Sequence, residues 1–168
     1  MLETLQQLGL NSGVYTFMHS AWGWPIAESL HFIGLSMLLG TVGVFDLRLL
    51  GLGKGLAYAD LHRLVPFGIA GYCLNATTGL MFLLSAPDQY LFNPAFQIKL
   101  LLMLLAGINV LVFYRTSMAL VRTTAQSDNV VPRARLMGLV SLLSWCGIII
   151  CGRLITYFRP PYHWCWWC

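Results

Sequence analysis

Charged side chains are scarce in this sequence. Asp, Glu, Lys and Arg together make up 10% of its 168 residues, whereas hydrophobic residues make up 58%. The mean hydropathy is +0.71. A soluble domain carries roughly 25% charged residues, which keep its surface hydrated. The shortage of charge therefore excludes an ordinary soluble domain and indicates that the lipid bilayer is the solvent of this protein.

The sequence also lacks the motifs of common catalytic and nucleotide-binding sites. It contains no Gly-rich phosphate loop, no nucleophile elbow and no pair of carboxylates at catalytic spacing. The net charge is +4, but the basic residues are scattered and form no cluster or stripe that would bind a phosphate backbone. Hydrolase and nucleotide chemistry are therefore not expected, and nucleic acid is not an expected partner.

Four long apolar stretches dominate what is present. A helix needs roughly 20 apolar residues to cross the hydrocarbon core of a bilayer. The stretches lack the strict alternation of barrel strands, so helices are the structure that satisfies the backbone in lipid. We predict an all-α integral membrane four-helix bundle, a single transmembrane domain over residues 1–168, with helices at about 26–50, 64–85, 98–121 and 136–158.

The positions of the basic residues predict the orientation of the bundle. Most of them flank the first and third connections between the helices, namely Arg48, Lys54, Arg63, Arg115, Arg122, Arg133 and Arg135; on the other side are Lys99, Arg153 and Arg159. Basic residues accumulate on the cytoplasmic side of a membrane. We therefore predict that the N- and C-termini are non-cytoplasmic, and most Trp residues fall on that same side.

The first residues are expected to lie along the outer membrane interface. Residues 2–24 are moderately apolar and contain a turn signal at Asn11, Ser12 and Gly13, which splits them into two short pieces. No basic run precedes an apolar core, since the first cation is Arg48, so we expect no cleavable secretory signal.

Small residues predict where helices approach each other closely. Gly40 and Gly43, with Ser36, form a small-residue face on the first helix, and Gly68 and Gly71 do so on the second. We expect both faces to be helix contacts.

The five cysteines fall into two groups. Three lie within apolar spans and are expected to be buried small hydrophobes: Cys73, Cys146 and Cys151. Cys165 and Cys168 lie in a Trp-rich tail that we interpret as an interfacial aromatic anchor. With His163 they also form a candidate copper or zinc site. The tail is not a c-type heme site, because no histidine follows the second cysteine.

Four ionisable residues fall in one outer-leaflet layer: Glu28, His31, Lys99 and Arg153. Such groups cost roughly 2.5 to 3.5 kcal/mol each inside a membrane, so they normally face partners, cavities or cofactors. Glu28 and His31 share a helix face that should point into the bundle. A neutral imidazole there suits heme iron, and nearby Lys and Arg can neutralise the propionates. We therefore predict a heme b site with His31 as axial ligand and Arg153 near the propionates.

The second axial ligand is open between three candidates, His163, His19 and Lys99. His62 is expected at the cytoplasmic side, roughly 30 Å from His31, so it cannot share the same heme.

A purely structural interpretation competes with the heme site. Glu28 would then pair with Arg153 or Lys99 in a desolvated ion pair that fixes helix packing, with His31 hydrogen-bonded beside it.

Other polar residues within the spans are expected to bridge helices. Asp46 and Arg48 are two residues apart and should have different partners, Arg115 being the candidate for Asp46. Interhelical hydrogen bonds are expected from Asn75, Thr77, Thr78 and Asn109.

Several segments resemble an uncharacterised family of small bacterial four-helix membrane proteins, a domain of unknown function. They are residues 25–34 (PIAESLHFIG), 43–51 (GVFDLRLLG), 61–71 (LHRLVPFGIAG) and 93–101 (NPAFQIKLL). More distantly, the sequence resembles HemJ-type protoporphyrinogen oxidases and copper-resistance D membrane proteins in two short motifs. These are His31 preceded by a leucine and Lys99 followed by leucines. The HemJ likeness implies heme b at His31 and Lys99. Asn109 stands where that type has a later histidine, so porphyrinogen oxidation itself is not implied.

The leading hypothesis is a heme b-binding membrane protein of the bacterial inner membrane that transfers electrons or serves a redox complex. Whether it is also an enzyme stays open, with electron transfer favoured over catalysis. Its partners would be the lipid bilayer and other membrane subunits or a redox partner. The alternatives are a cofactor-free accessory subunit of a respiratory or photosynthetic complex, and a copper-handling protein.

Overall fold

The computed structural model describes residues 2–53, 55–117 and 132–158 of the chain. This part of the chain is built from α-helices and one short 3-10 helix, with no strand. The helices are α1 (Leu2–Asn11), α2 (Val14–Met18), α3 (Gly23–Leu49), α4 (Tyr58–His62), α5 (Val65–Ser85), α6 (Pro87–Leu91), α7 (Pro94–Thr116) and α8 (Pro132–Leu154), and α8 runs into the 3-10 helix Ile155–Phe158.

Four segments are long and apolar enough to cross a membrane. They are Gly23–Leu49, Tyr58–Ser85, Pro94–Thr116 and Pro132–Phe158. The predicted all-α four-helix membrane bundle is confirmed, and the chain is a multi-pass membrane protein. We call the end at which α3 begins the terminal side of the bundle, and the end at which α3 finishes the opposite side.

The third spanning helix begins earlier than predicted because of a local capping motif. Asn93 precedes Pro94, and its side chain accepts hydrogen bonds from the backbone amides of Ala95 and Phe96. An Asn cap followed by Pro at the first helical position is a strong helix start. The amide of Asn93 also donates to the carbonyl of Ile155 at 2.9 Å, which ties the start of α7 to the end of α8.

The four spanning helices pack as two pairs. Helix α3 lies along α5, helix α7 lies along α8, and contacts between α3 and α8 join the pairs. Helices α5 and α7 make almost no direct contact. The two pairs are therefore joined through α3 and α8, and few residues of α5 and α7 approach each other.

Glycines set the close approach of α3 and α5, but only one predicted face is correct. A methyl group at Gly71 would lie 2.6 Å from the Gly34 carbonyl oxygen, and one at Gly68 would lie 2.5 Å from Thr41 Oγ1. The prediction for Gly40 and Gly43 is wrong, because no neighbouring atom in residues 2–53, 55–117 and 132–158 lies within 4 Å of a methyl group at either. Helix α3 turns Gly34 toward α5 instead.

The N-terminal segment is split as predicted, with Gly13 in the left-handed conformation (φ 74°) between α1 and α2. It packs over the terminal end of α5. Gly9 lies against the Leu84 carbonyl, and Met18 is fully buried in a cluster with Ala27 and Phe82.

The expectation that the spanning cysteines are buried holds for one of three. Cys151 is buried, whereas Cys73 and Cys146 are exposed on the outer faces of their helices, where thiols contact lipid as small apolar groups. Cys165 and Cys168 lie outside the described residues.

Candidate functional site

His31 is held between α3 and α5 in the terminal half of the bundle. Its Nδ1 lies 2.8 Å from Thr78 Oγ1, and its own carbonyl accepts a hydrogen bond from Asn75 Nδ2 at 2.9 Å. The edge of the Phe82 ring packs against the imidazole, with ring centroids 5.5 Å apart. The side chain is therefore anchored through one ring nitrogen by the neighbouring helix.

The hydrogen bonds of Thr78 select the tautomer of His31. The Thr78 hydroxyl lies 2.8 Å from the Leu74 carbonyl, one turn back on its own helix. A hydroxyl has a single hydrogen, and a carbonyl oxygen only accepts, so the hydroxyl donates to Leu74 and accepts from His31 Nδ1–H. The Nε2 lone pair of His31 is then available to a ligand or a metal, as in metal-bound histidines that are oriented through their other nitrogen.

Lys99 points into the same layer from α7. The side chain is partly buried, and its ammonium interacts electrostatically with the His31 ring and with Cys151. Glycines lie beside both groups: a methyl group at Gly152 would lie 3.8 Å from Lys99 Nζ, and one at Gly79 would lie 3.7 Å from His31 Cε1. Lys99 and His31 therefore lie within electrostatic range of each other.

The structural alternative, an ion pair involving Glu28, does not form among the described residues. The ion pair in residues 2–53, 55–117 and 132–158 is Asp60–Arg63, on the surface. Glu28 and Arg153 are both exposed. The expectation that Glu28 shares the inward face of His31 is wrong, because α3 turns the neighbouring Ala27 inward.

The other histidines differ in their surroundings. His19 is exposed, stacks on Tyr15 and donates from Nδ1 to the Tyr15 carbonyl at 2.9 Å, which also leaves its Nε2 free. His62 belongs to α4, where its Nε2 lies 3.5 Å from the hydroxyl of Tyr114. His163 lies outside the described residues, so its candidacy as a second ligand stays a prediction.

The predicted interhelical hydrogen bonds are confirmed for three of the four residues. Asn75 and Thr78 contact His31 across the α3–α5 interface, and Asn109 donates to the Met137 carbonyl on α8 at 2.9 Å. Thr77 is exposed and donates to the carbonyl of Cys73 on its own helix.

A second polar feature, which sequence reasoning missed, lies in the opposite half of the bundle. Asp46 is only 4% exposed, and its carboxylate accepts a hydrogen bond from Ser141 on α8, not from the predicted partner Arg115, which is exposed. Its Oδ2 has no hydrogen-bond partner in the described part of the chain, and neither does Nε1 of Trp145. Both residues line a cavity of about 280 Å³ between the four spanning helices.

Arg48 is also buried, although basic residues at a helix end usually reach water. Its Nε donates to the Leu56 carbonyl, and its guanidinium lies over the Tyr58 ring at 4.6 Å from the centroid. The prediction that Asp46 and Arg48 have different partners is confirmed.

The residues of this site that could hold a heme are the His31 imidazole and Lys99, which has no carboxylate partner among the described residues. Glycines border both side chains. By contrast, no group of three or more His, Cys, Asp or Glu within the described ranges could hold a metal ion as a protein cage. No protein family, curated protein or solved structure matches this chain.

Proposed function

We propose that the protein binds heme b in the terminal half of its bundle, with His31 as an axial ligand, and carries electrons for a membrane redox system. The family resemblance to HemJ-type proteins, which rests on His31 and Lys99, favours the same cofactor. Its membrane in this proposal is the bacterial inner membrane. The loop cations favour an orientation with non-cytoplasmic termini.

The observation that carries this proposal is the pairing of an oriented imidazole with an uncompensated cation. His31 donates from Nδ1 to Thr78, so its Nε2 is presented as a ligand. Lys99 lies beside it without a carboxylate partner in the described ranges. A partly buried cation in a membrane requires an anion or a hydrogen-bond acceptor, and a heme propionate is such an anion.

Lys99 has two possible roles in this site. As an ammonium it would neutralise a propionate, and as a neutral amine it would be the ligand opposite His31. Arg153, exposed near the terminal end of α8, is then a second cation for the propionates. His163 and His19 are the other candidates for the second axial position.

The test is an absorption spectrum of the purified protein, oxidised and dithionite-reduced, with a pyridine hemochrome assay for stoichiometry. We expect a b-type spectrum with about one heme per chain. The band should be lost in His31→Ala and retained in His62→Ala, the matched control, because His62 lies at the opposite side of the bundle.

A colourless preparation from heme-replete cells would overturn the proposal. The cofactor-free accessory subunit would then be the first choice, and it predicts co-purification with larger membrane proteins. Copper handling predicts bound metal that is lost when Cys165 and Cys168 are replaced.

A further inference from the structure

The cavity in the opposite half of the bundle reaches the outer surface of the described part of the chain. Among its lining residues, Ile69 and Tyr72 on α5 and Gly107 and Val110 on α7 are exposed, and these two helices make almost no direct contact. Gly107 on α7 is exposed, and no atom of the described residues lies within 4 Å of a methyl group built on it. A molecule dissolved in the bilayer can therefore enter sideways without passing through water. We call this cavity the lateral groove.

The floor of the lateral groove holds polar atoms that lack partners. Asp46 and Trp145 are 4% and 8% exposed, and Asp46 Oδ2 and Trp145 Nε1 make no hydrogen bond in the described part of the chain. Buried polar atoms are nearly always paired, because leaving one unpaired forfeits its hydration. Ser141, the partner of the Asp46 carboxylate, is one helical turn from Trp145 on α8, and all three residues line the groove.

These atoms define the chemistry of an occupant. Trp145 Nε1–H only donates, whereas the Asp46 carboxyl group accepts when it is ionised and also donates when it is protonated. A hydroxyl group suits both states of Asp46, because it can donate or accept there, and it also accepts from Trp145. A hydrocarbon can do neither, and an ammonium cannot accept from Trp145.

The walls favour an aromatic ring around that hydroxyl. Aromatic side chains line the groove together with aliphatic ones, namely Phe45, Tyr72, Phe113, Tyr114 and Trp145. Aromatic rings contact each other favourably in stacked or edge-to-face arrangements. A volume of about 280 Å³ accepts a substituted ring, and an apolar tail would leave through the gap between α5 and α7.

We propose that the lateral groove binds a lipid-soluble phenol or hydroquinone, with its hydroxyl between Asp46 and Trp145 and its tail in the bilayer. This site is separate from the one at His31, which does not line the groove, and it stands whether or not heme is bound.

The experiment measures binding of tritiated decylhydroquinone, kept reduced under anaerobic conditions, to the full-length protein in nanodiscs. Gly107→Leu places a side chain in the groove. A Cβ at this position has no described atom within 4 Å, so the substitution should leave the fold intact. We expect affinity to fall by at least about tenfold. Gly40→Leu is the matched control: its added side chain also enters open space, outside the groove, and binding should be unchanged.

A second variant and two competitors test the chemistry. Trp145→Phe keeps the ring but removes the N–H, and should weaken binding by about threefold to tenfold. The dimethyl ether of decylhydroquinone cannot donate to Asp46 and should compete poorly, and oleyl alcohol, which lacks the ring, should also compete poorly. Unchanged binding in Gly107→Leu would overturn the site. Equal competition by the ether would overturn the hydroxyl assignment, and equal competition by oleyl alcohol would assign the groove to lipid alcohols in place of ring-bearing ligands.

Discussion

At the scale of single residues, the hydroxyl of Thr78 controls the chemistry available to His31. Its hydrogen is used by the Leu74 carbonyl, so its lone pair receives the Nδ1–H of His31. The neighbouring Thr77 has the same side chain but faces outward and bonds only within α5. The chain thus offers two adjacent threonines, one tied to the histidine and one not.

Thr78→Val should destabilise the protein by about 1 to 3 kcal/mol, because the isosteric side chain leaves His31 Nδ1–H unpaired inside the bundle. Thr77→Val is the control and should change stability by less than about 0.5 kcal/mol. Unfolding in mixtures of SDS and dodecyl maltoside measures both. If heme is bound, Thr78→Val should also weaken its affinity about tenfold to a hundredfold through loss of ligand orientation. Equal stabilities of the two variants would contradict the assigned role of Thr78.

Lys99 gives a prediction in which stability and cofactor binding move in opposite directions. The cation has no carboxylate partner among the described residues, so Lys99→Met should stabilise the heme-free protein, by up to about 2.5 kcal/mol. The same change should lower the heme content, because a propionate would lose its counter-ion. Arg115→Met, an exposed residue of the same helix, should alter neither quantity appreciably. Melting temperature and the hemochrome assay read the two effects separately. A destabilised Lys99→Met protein with full heme content would contradict both expectations.

At the scale of helices, the contact between α3 and α5 depends on glycines that meet backbone atoms. Methyl groups at Gly34 and Gly71 would lie 2.8 and 2.6 Å from the partner glycine's carbonyl oxygen. Neither neighbour is the movable end of a side chain, so the helices themselves would have to separate. The Asn75 and Thr78 hydrogen bonds to His31 span the same interface and would lengthen with it.

Gly71→Ala should therefore destabilise the bundle by about 1 to 3 kcal/mol through overpacking. Gly43→Ala is the matched control on α3, where the added methyl meets nothing. It should be neutral or stabilise the helix by up to about 1 kcal/mol. Unfolding midpoints in SDS measure both variants. A Gly71→Ala protein as stable as Gly43→Ala would show that α3 and α5 tolerate separation, and the predicted ranking would be wrong.

The sequence predicted the spanning helices well but not all of their faces. Apolar length identifies a spanning segment directly, and helix class follows from it. The side of an apolar helix that meets protein is weakly encoded, because lipid and protein interiors are equally apolar. For this reason the sequence predicts a helix contact at Gly40 and Gly43, whereas the structure makes it at Gly34. For the same reason it predicts that Cys73 and Cys146 are buried, whereas both are exposed.

At the scale of the whole molecule, the pairing of helices determines what each half of the bundle holds. The contacts of α8 with α3 and α7 bring His31 and Lys99 into electrostatic range, in the half of the bundle where their shared depth in the membrane predicts them. The lateral groove lies where α5 and α7 make almost no direct contact, and no local pattern in either helix encodes that spacing. The signal of the lateral groove in the sequence is a single acidic residue, Asp46, near the end of an apolar helix.

The bundle as a whole also carries a prediction about its orientation in the membrane. The loop between α3 and α4 lies on the side rich in basic residues, and the start of α3 and the end of α8 lie on the other, so the positive-inside rule predicts a cytoplasmic loop and non-cytoplasmic ends. Alkaline phosphatase requires disulfides that form outside the cytoplasm, whereas green fluorescent protein exported through the general secretion route does not fluoresce.

We expect an alkaline phosphatase fusion after Cys168 to be active in a bacterial host and one after Gly53 to be inactive. The corresponding green fluorescent protein fusions should show the reverse pattern, which controls for poor expression. The orientation needs a direct test because Arg48 is buried. Its guanidinium contacts Leu56 and Tyr58, so it contributes less than a free cation to keeping the loop in the cytoplasm. A bright fusion at Cys168 together with an active phosphatase at Gly53 would reverse the orientation and place the His31 layer in the cytoplasmic leaflet.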